Sequence, residues 1–173
     1  PPAPTLGLTG QLHATDWQRE IYQVAPTYDG NISFNGRAGF LPYRLSGGFT
    51  SQNGTLKGSK MNRGTLSLNL SPSFFDQHLT VNLNGKGTYA KNWYANQGAI
   101  GSALRYDPTQ PIHDSGINSL NGYRIWRKSN GEINSMATLN PVAMLNDLND
   151  TADAYRFIGN AQFDYKIHGF EDL

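Results

Sequence analysis

The chain contains no cysteine, which excludes a disulfide framework and any thiolate metal site. Charged residues make up only 16% of it, against roughly 25% in an ordinary soluble domain. Acids and bases nearly cancel, leaving a net charge of +1, so there is no electrostatic footprint for nucleic acid. No apolar run approaches the roughly 20 residues that a membrane-spanning helix needs. The opening Pro1-Pro2-Ala3-Pro4 has neither the basic nor the apolar stretch of a signal peptide. If this chain meets a membrane, it does so through strands.

What fills the space is glycine, 19 of 173 residues, together with abundant Asn, Ser and Thr. Five segments alternate apolar and polar residues with period two, the mark of strands with unlike faces. Ile32 and Phe34 alternate with Asn31, Ser33 and Asn35; Tyr43, Leu45, Gly47 and Phe49 with Arg44, Ser46, Gly48 and Thr50. Leu66, Leu68 and Leu70 alternate with Thr65, Ser67 and Asn69. Leu79, Val81, Leu83 and Tyr89 oppose Thr80, Asn82, Asn84, Lys86 and Thr88. Phe157, Gly159, Ala161, Phe163 and Tyr165 oppose Arg156, Asn160, Gln162, Asp164 and Lys166. The pattern predicts an all-β fold, an antiparallel meander.

Short connections over 38–42, 53–62 and 72–78 suit hairpins. A fourth, over 92–154, is too long to lack structure of its own. Asn140-Pro141 reads there as a helix N-cap followed by proline at the first helical position. Residues 99–105 form a second helix candidate, stopped by Asp107-Pro108. Near the start, Thr15-Asp16-Trp17-Gln18 fits a capping box opening a short helix, with Trp17, Ile21 and Val24 on one side. The predicted organisation is a loop with a short helix (1–27), four strands (28–91), a long loop (92–154), and a fifth strand with a turn (155–173).

Alternation alone suits both a soluble sandwich and the wall of a transmembrane β-barrel. Three features favour the wall. The apolar faces carry no charge and mix Leu and Phe with Gly47, Gly64, Gly85, Gly87 and Gly159, a poor jigsaw core but an adequate surface for fluid lipid. The polar faces hold small neutral groups where a soluble surface would carry dense Lys and Glu. Five strands in a meander also leave two open edges, which closure removes. On this reading Leu66, Leu68, Leu70, Val81, Leu83 and Phe163 face lipid, and Asn82, Asn84, Lys86, Asn160, Gln162 and Asp164 face a watery lumen.

Several blocks carry a more specific likeness: Thr15-Asp16-Trp17-Gln18-Arg19-Glu20-Ile21-Tyr22, Asn31-Ile32-Ser33-Phe34-Asn35-Gly36, and Leu41-Pro42-Tyr43-Arg44-Leu45-Ser46-Gly47-Gly48-Phe49. Ser71-Pro72-Ser73-Phe74-Phe75-Asp76, Gly98-Ala99-Ile100-Gly101, and Asp107-Pro108-Thr109-Gln110-Pro111 follow in order. Asn140-Pro141-Val142-Ala143-Met144-Leu145 and the run from Arg156 to Tyr165 complete the set. Together they resemble the early barrel of SusC/RagA-type TonB-dependent transporters, most weakly over 112–136. The resemblance implies a bacterial outer-membrane importer of glycans or peptides, energised by TonB and capped by a SusD-like surface lipoprotein. It also implies a longer protein, with a plug domain and TonB-contacting segment ahead of this stretch and more strands after it. Long connections would then face outward and short turns the periplasm.

No pattern supports catalysis. The histidines (His13, His78, His113 and His168) form no ligand-spaced pair. Asp147, Asn149, Asp150 and Asp153 suggest a calcium loop, yet Ala152 and Ile158 stand where an EF-hand needs glycine and glutamate. No cofactor is expected; an irregular calcium site is the weaker alternative. Gly85-Lys86-Gly87-Thr88 lies inside an alternating strand and lacks a phosphate loop's upstream glycine. Among the loop aromatics, Tyr123 and Trp126 are the candidates for stacking on a substrate ring. Trp93 and Tyr94, expected just past a strand end, fit an interfacial aromatic girdle. A soluble carbohydrate-binding sandwich and a porin-like barrel without energy coupling are the competing functions.

Overall fold

A computed structural model describes residues 14–167. Three helices and eight strands follow one another as α1 (Trp17–Ile21), β1 (Thr27–Ala38), β2 (Leu41–Asn53), β3 (Lys60–Leu70), β4 (Ser73–Phe74) and β5 (Leu79–Tyr94). They continue as α2 (Gly98–Arg105), β6 (Ser119–Leu120), β7 (Tyr123–Arg124), α3 (Pro141–Asn146) and β8 (Asp150–Tyr165). No helix among the described residues is long and apolar enough to cross a membrane. The described residues divide into two units, one of 14–25, 53–60 and 93–151, the other of 26–52, 61–92 and 152–167.

The second unit is a sheet in the order β1-β2-β3-β5, with β4 and β8 both pairing β5. The all-β, antiparallel character expected from the period-two pattern is what the structure has. β1 and β2 pair antiparallel from Thr27↔Gln52 to Ala38↔Leu41, bringing Ile32 opposite Gly47 and Phe34 opposite Leu45. Like faces therefore meet, as a correct register requires. A two-residue turn joins them, and Gly39 at φ +62° takes the left-handed first position that a tight hairpin turn demands. β4 was not expected: Ser73 pairs Thr80 and Phe74 pairs Leu79, so the 71–78 connection is itself partly strand.

The strands are longer than the alternating segments. β5 runs through Trp93 and Tyr94, and β8 begins at Asp150, so the long connection shrinks to 95–149 and the two aromatics lie within the strand. Alternation stops before the strands do: β5 ends on Lys91-Asn92-Trp93-Tyr94 and β8 opens on Asp150-Thr151-Ala152-Asp153, neither with a clean apolar face. Hydrogen bonding to a neighbour strand carries them onward, and no apolar period is needed for that.

The first unit has the only compact core among the described residues. Trp17, Ile21, Leu56, Ala99, Ala103, Tyr106 and Leu145 are buried together. The Trp17 ring meets Tyr106 edge-on at 4.7 Å and 67°, a favoured aromatic geometry. The Trp17 indole N–H donates to the Asp107 carbonyl at 3.0 Å. At the start of α1 the N-cap is Asp16, whose carboxylate accepts from the Arg19 N–H at 3.1 Å. Thr15 does not cap. Its N–H and hydroxyl go instead to the carbonyls of Pro108 and Gln110, both at 2.8 Å. Val24, expected beside Trp17 and Ile21, is 90% exposed because α1 ends at Ile21.

Candidate functional site

On the sheet, two side-chain surfaces are separated by strand alternation. One is polar: the Ser46 and Ser67 hydroxyls lie 2.8 Å apart, and Asn84 donates its amide to Asn160 at 2.8 Å across β5 and β8. Gln162 donates to both carboxylate oxygens of Asp164 at 3.1–3.2 Å. Asn82 and Lys86 share this face with Asn84 by alternation.

The other face is apolar. Leu66, Leu68, Leu70, Leu83, Gly85, Gly159 and Ala161 border one shallow depression, with the Phe157 ring over it. A Cβ built on Gly85 would lie 3.8 Å from that ring, and one on Gly159 3.4 Å, so the aromatic covers two glycines on neighbouring strands. Phe157 is still 79% exposed, and Ile32, Phe34, Phe49, Leu66 and Phe163 are exposed as well. Val81, on the same face by alternation, is buried, and its N–H donates to the Pro72 carbonyl at 3.0 Å.

This face has a polar edge. The Tyr89 and Tyr155 rings stack at 4.9 Å, and the Tyr89 hydroxyl donates to Asp153 at 2.8 Å. Leu79 to Tyr89 is ten steps of roughly 3.4 Å, which at a tilt of roughly 45° climb roughly 24 Å, the height of the apolar band of an outer-membrane barrel. Trp93 and Tyr94 end β5, and the Lys60 ammonium sits 5.7 Å from the Trp93 ring centre.

In the first unit, the stretch from 112 to 126 is ordered by polar anchors. Asn121 and Gly122, at φ +52° and +83°, make the two-residue turn joining β6 to β7. This Asn-Gly pair between Leu120 and Tyr123 is a hairpin signal the sequence reading missed. Arg124 pairs with Asp114 at 2.6 Å, both side chains largely covered. The Gly116 N–H and then the Arg124 guanidinium hold the Asp114 carboxyl below the usual carboxylate range. Burial pushes the Asp107 carboxyl up, but the Thr109 hydroxyl and N–H and the Gln110 amide outweigh it and leave it lowered. Burial raises the Tyr106 phenol to about 12.

Tyr123 and Trp126 are not brought to one cleft. Tyr123 borders a cavity of about 290 Å³ with Leu120, Ile125, Leu139, Met144 and Leu148. Its hydroxyl accepts from the Asn146 amide at 2.7 Å, and its ring lies 4.9 Å from His113. Trp126 packs against the core instead, 6.0 Å from Tyr106, which gives it a structural task the sequence could not show. Among the described residues no three His, Asp or Glu side chains converge as metal ligands.

No family model matches the chain. The chain is 41% identical over 174 aligned positions to the TonB-dependent receptor SusC of Bacteroides thetaiotaomicron, covering 92% of its own length. The chain is thus similar to that receptor over most of its own length. It spans 17% of that receptor.

Proposed function

We propose that this chain is a segment of the barrel wall of a SusC-type, TonB-dependent receptor in a bacterial outer membrane. The observation that carries the reading is the apolar sheet face, free of charge, left uncovered by the chain and about as tall as the apolar band of a bilayer. Lipid on that face offsets the cost of exposing Leu and Phe, roughly 25 cal/mol per Å². The similarity to SusC supports the same reading. The polar face of Asn82, Asn84, Lys86, Asn160, Gln162 and Asp164 then borders the lumen.

In this reading the whole protein imports glycans or peptides, drawing energy through TonB, and catalyses no reaction. It works with a SusD-like surface lipoprotein, and the connection from β5 to β8 faces outward to meet lipoprotein or substrate, with Tyr123 as the candidate stacking residue. Cutting out 112–136 would be a poor test, since it removes Trp126 and the carbonyls of Ile112 and Arg124 that hold Asn140. Ile117 and Met136 are better probes, being 75% and 92% exposed. Ile117→Glu and Met136→Glu together, in the full-length receptor, should lower co-purification of the surface lipoprotein several-fold while barrel assembly is unchanged. Unaltered recovery of the complex would count against this loop as the docking surface.

A further inference from the structure

Charge is not spread evenly over the sheet. Alternation puts Arg37 of β1, Arg44 of β2, Arg63 of β3, Lys86 of β5 and Arg156 of β8 on the polar face. Arg44 lies opposite Asn35 and two residues from Ser46, whose hydroxyl meets that of Ser67. Arg63 donates to the Thr50 hydroxyl at 3.4 Å. Lys86 stands two residues from Asn84, and Arg156 four from Asn160, the pair bonded across β5 and β8. All of these cations are exposed. Among the described residues none of them touches a carboxylate. In the other unit, by contrast, Arg124 pairs with Asp114 and Lys128 with Glu132. The acids that share the polar face by the same alternation, Asp29, Asp150 and Asp164, are fewer, and Asp164 is already held by the Gln162 amide. A chain whose net charge is only +1 thus gathers unpaired positive charge on one face.

A lumen wall needs only polarity to stay wet, and Ser46, Ser67, Asn82, Asn84 and Asn160 supply that. Unpaired charge of one sign costs more, because the cations repel one another. In a water-filled space walled by low-dielectric protein, their field is also focused inward. The face therefore answers to negative charge from outside the sheet. A guanidinium offers a planar fork of donors that grips a carboxylate through two bonds. Between the cations, amides and hydroxyls can exchange hydrogen bonds with the hydroxyls of a sugar. The sheet's apolar recess lies on the opposite face, which favours sugars over the mixed side chains of a peptide.

We infer that Arg37, Arg44, Arg63, Lys86 and Arg156 form an anion track, and that the substrate is an acidic glycan whose sugars carry carboxylate or sulfate groups. The inference rests on the reading of this face as the lumen wall. The test screens the full-length receptor in detergent against oligosaccharides of matched length. Oligogalacturonate, oligomannuronate and chondroitin sulfate oligomers stand for the acidic class, galactan, mannan and malto-oligosaccharides for the neutral one, and oligoglutamate for an acidic peptide. At least one acidic glycan should bind, and more tightly than any neutral one; carboxylate and sulfate are told apart by which acidic probe it is. Binding confined to neutral glycans, no binding of any acidic glycan, or tighter binding of oligoglutamate overturns the inference. Lys86→Gln and Arg156→Gln together should weaken the best acidic probe on the order of tenfold. That loss should shrink in roughly 1 M salt, where the screening length falls to roughly 3 Å. Lys128→Gln, the same charge change in the other unit, should leave the affinity unaltered. An equal loss from Lys128→Gln, or none from the pair, also overturns the track. The lumen reading is checked apart, with Lys86→Cys in receptor free of other reactive cysteines and folded into vesicles. Reaction with a membrane-impermeant thiol reagent while the acidic glycans fail to bind fells the track and leaves the lumen standing. No reaction at position 86 fells both.

Discussion

Leu83→Arg is expected to lower the folding stability of the full-length barrel in lipid vesicles by roughly 2–4 kcal/mol, the penalty for a guanidinium near the bilayer midplane. Leu83 stands on the apolar face between Val81 and Gly85, well inside the Leu79–Tyr89 stretch. At that depth the arginine must snorkel toward headgroups or draw water inward. Asn84→Arg, one residue away on the opposite face, should cost far less, since it replaces an amide that bonds Asn160 with a group that water in the lumen can solvate. A packed soluble core would also reject Leu83→Arg, so the pair is completed by Gly85→Leu. The Phe157 ring lies 3.8 Å from where the new Cβ would sit, but that ring is itself largely exposed and can swing aside into fluid lipid. A small change is expected. A packed interior would instead show an overpacking loss of roughly 1–3 kcal/mol.

Asn140→Ala is the second substitution expected to act strongly, and in the other unit. Asn140 is buried. Its side-chain oxygen accepts from the N–H groups of Val142 and Ala143 at 3.1 and 3.3 Å, capping α3. Its amide nitrogen donates to the carbonyls of Ile112 and Arg124 at 2.9 and 3.3 Å. One side chain thus fills the helix end and ties three separate stretches together. Alanine removes the cap, worth roughly 0.5–2 kcal/mol, and two further hydrogen bonds, worth roughly 0.5–1.5 kcal/mol each, while the Ile112 carbonyl keeps the Arg124 N–H and the Arg124 carbonyl keeps the Tyr106 hydroxyl. Amide hydrogen exchange at Val142, Ala143 and the β6–β7 turn should accelerate by one to several orders of magnitude, by roughly tenfold for each 1.4 kcal/mol lost. Exchange in the sheet should be unchanged. Unaltered protection around Asn140 would contradict the role given to its amide.

The same two sites show how far sequence carries. The faces of β2, β3, β5 and β8 were legible because period two is a local property, written in neighbours such as Leu83 and Asn84. The α3 cap was legible for the same reason, since Asn140-Pro141 carries its signal within two residues. Long-range bonds were not. Nothing near Thr15 says that its hydroxyl serves Gln110, which is why a capping box was read where Asp16 does the capping. Trp126 looked like a free loop aromatic, and only the approach of Tyr106, distant in sequence, makes it part of a core. Val81 fits the apolar period as Leu83 does, and nothing in that period marks it as the buried one of the two. The Asn121-Gly122 turn was local and readable, but it lies in the stretch where the likeness to SusC/RagA-type transporters was weakest, and its flanking strands have only two residues each. Of the candidate site, the two sheet faces could be read and the lobe around Tyr123 could not.

The central claim is that the Leu79–Tyr89 strand separates lipid from water. A nitroxide scan of positions 79–89 in the full-length protein in lipid vesicles tests it most directly, by comparing collisions with oxygen, which partitions into lipid, and with a water-soluble nickel complex. Alternation with period two is expected: oxygen contact at 83, 85 and 87, nickel contact at 82, 84 and 86. Position 81, where the side chain is buried, should be shielded from both. If 83, 85 and 87 are shielded from both reagents as well, the apolar face is a packed protein interior, and the barrel-wall account is wrong.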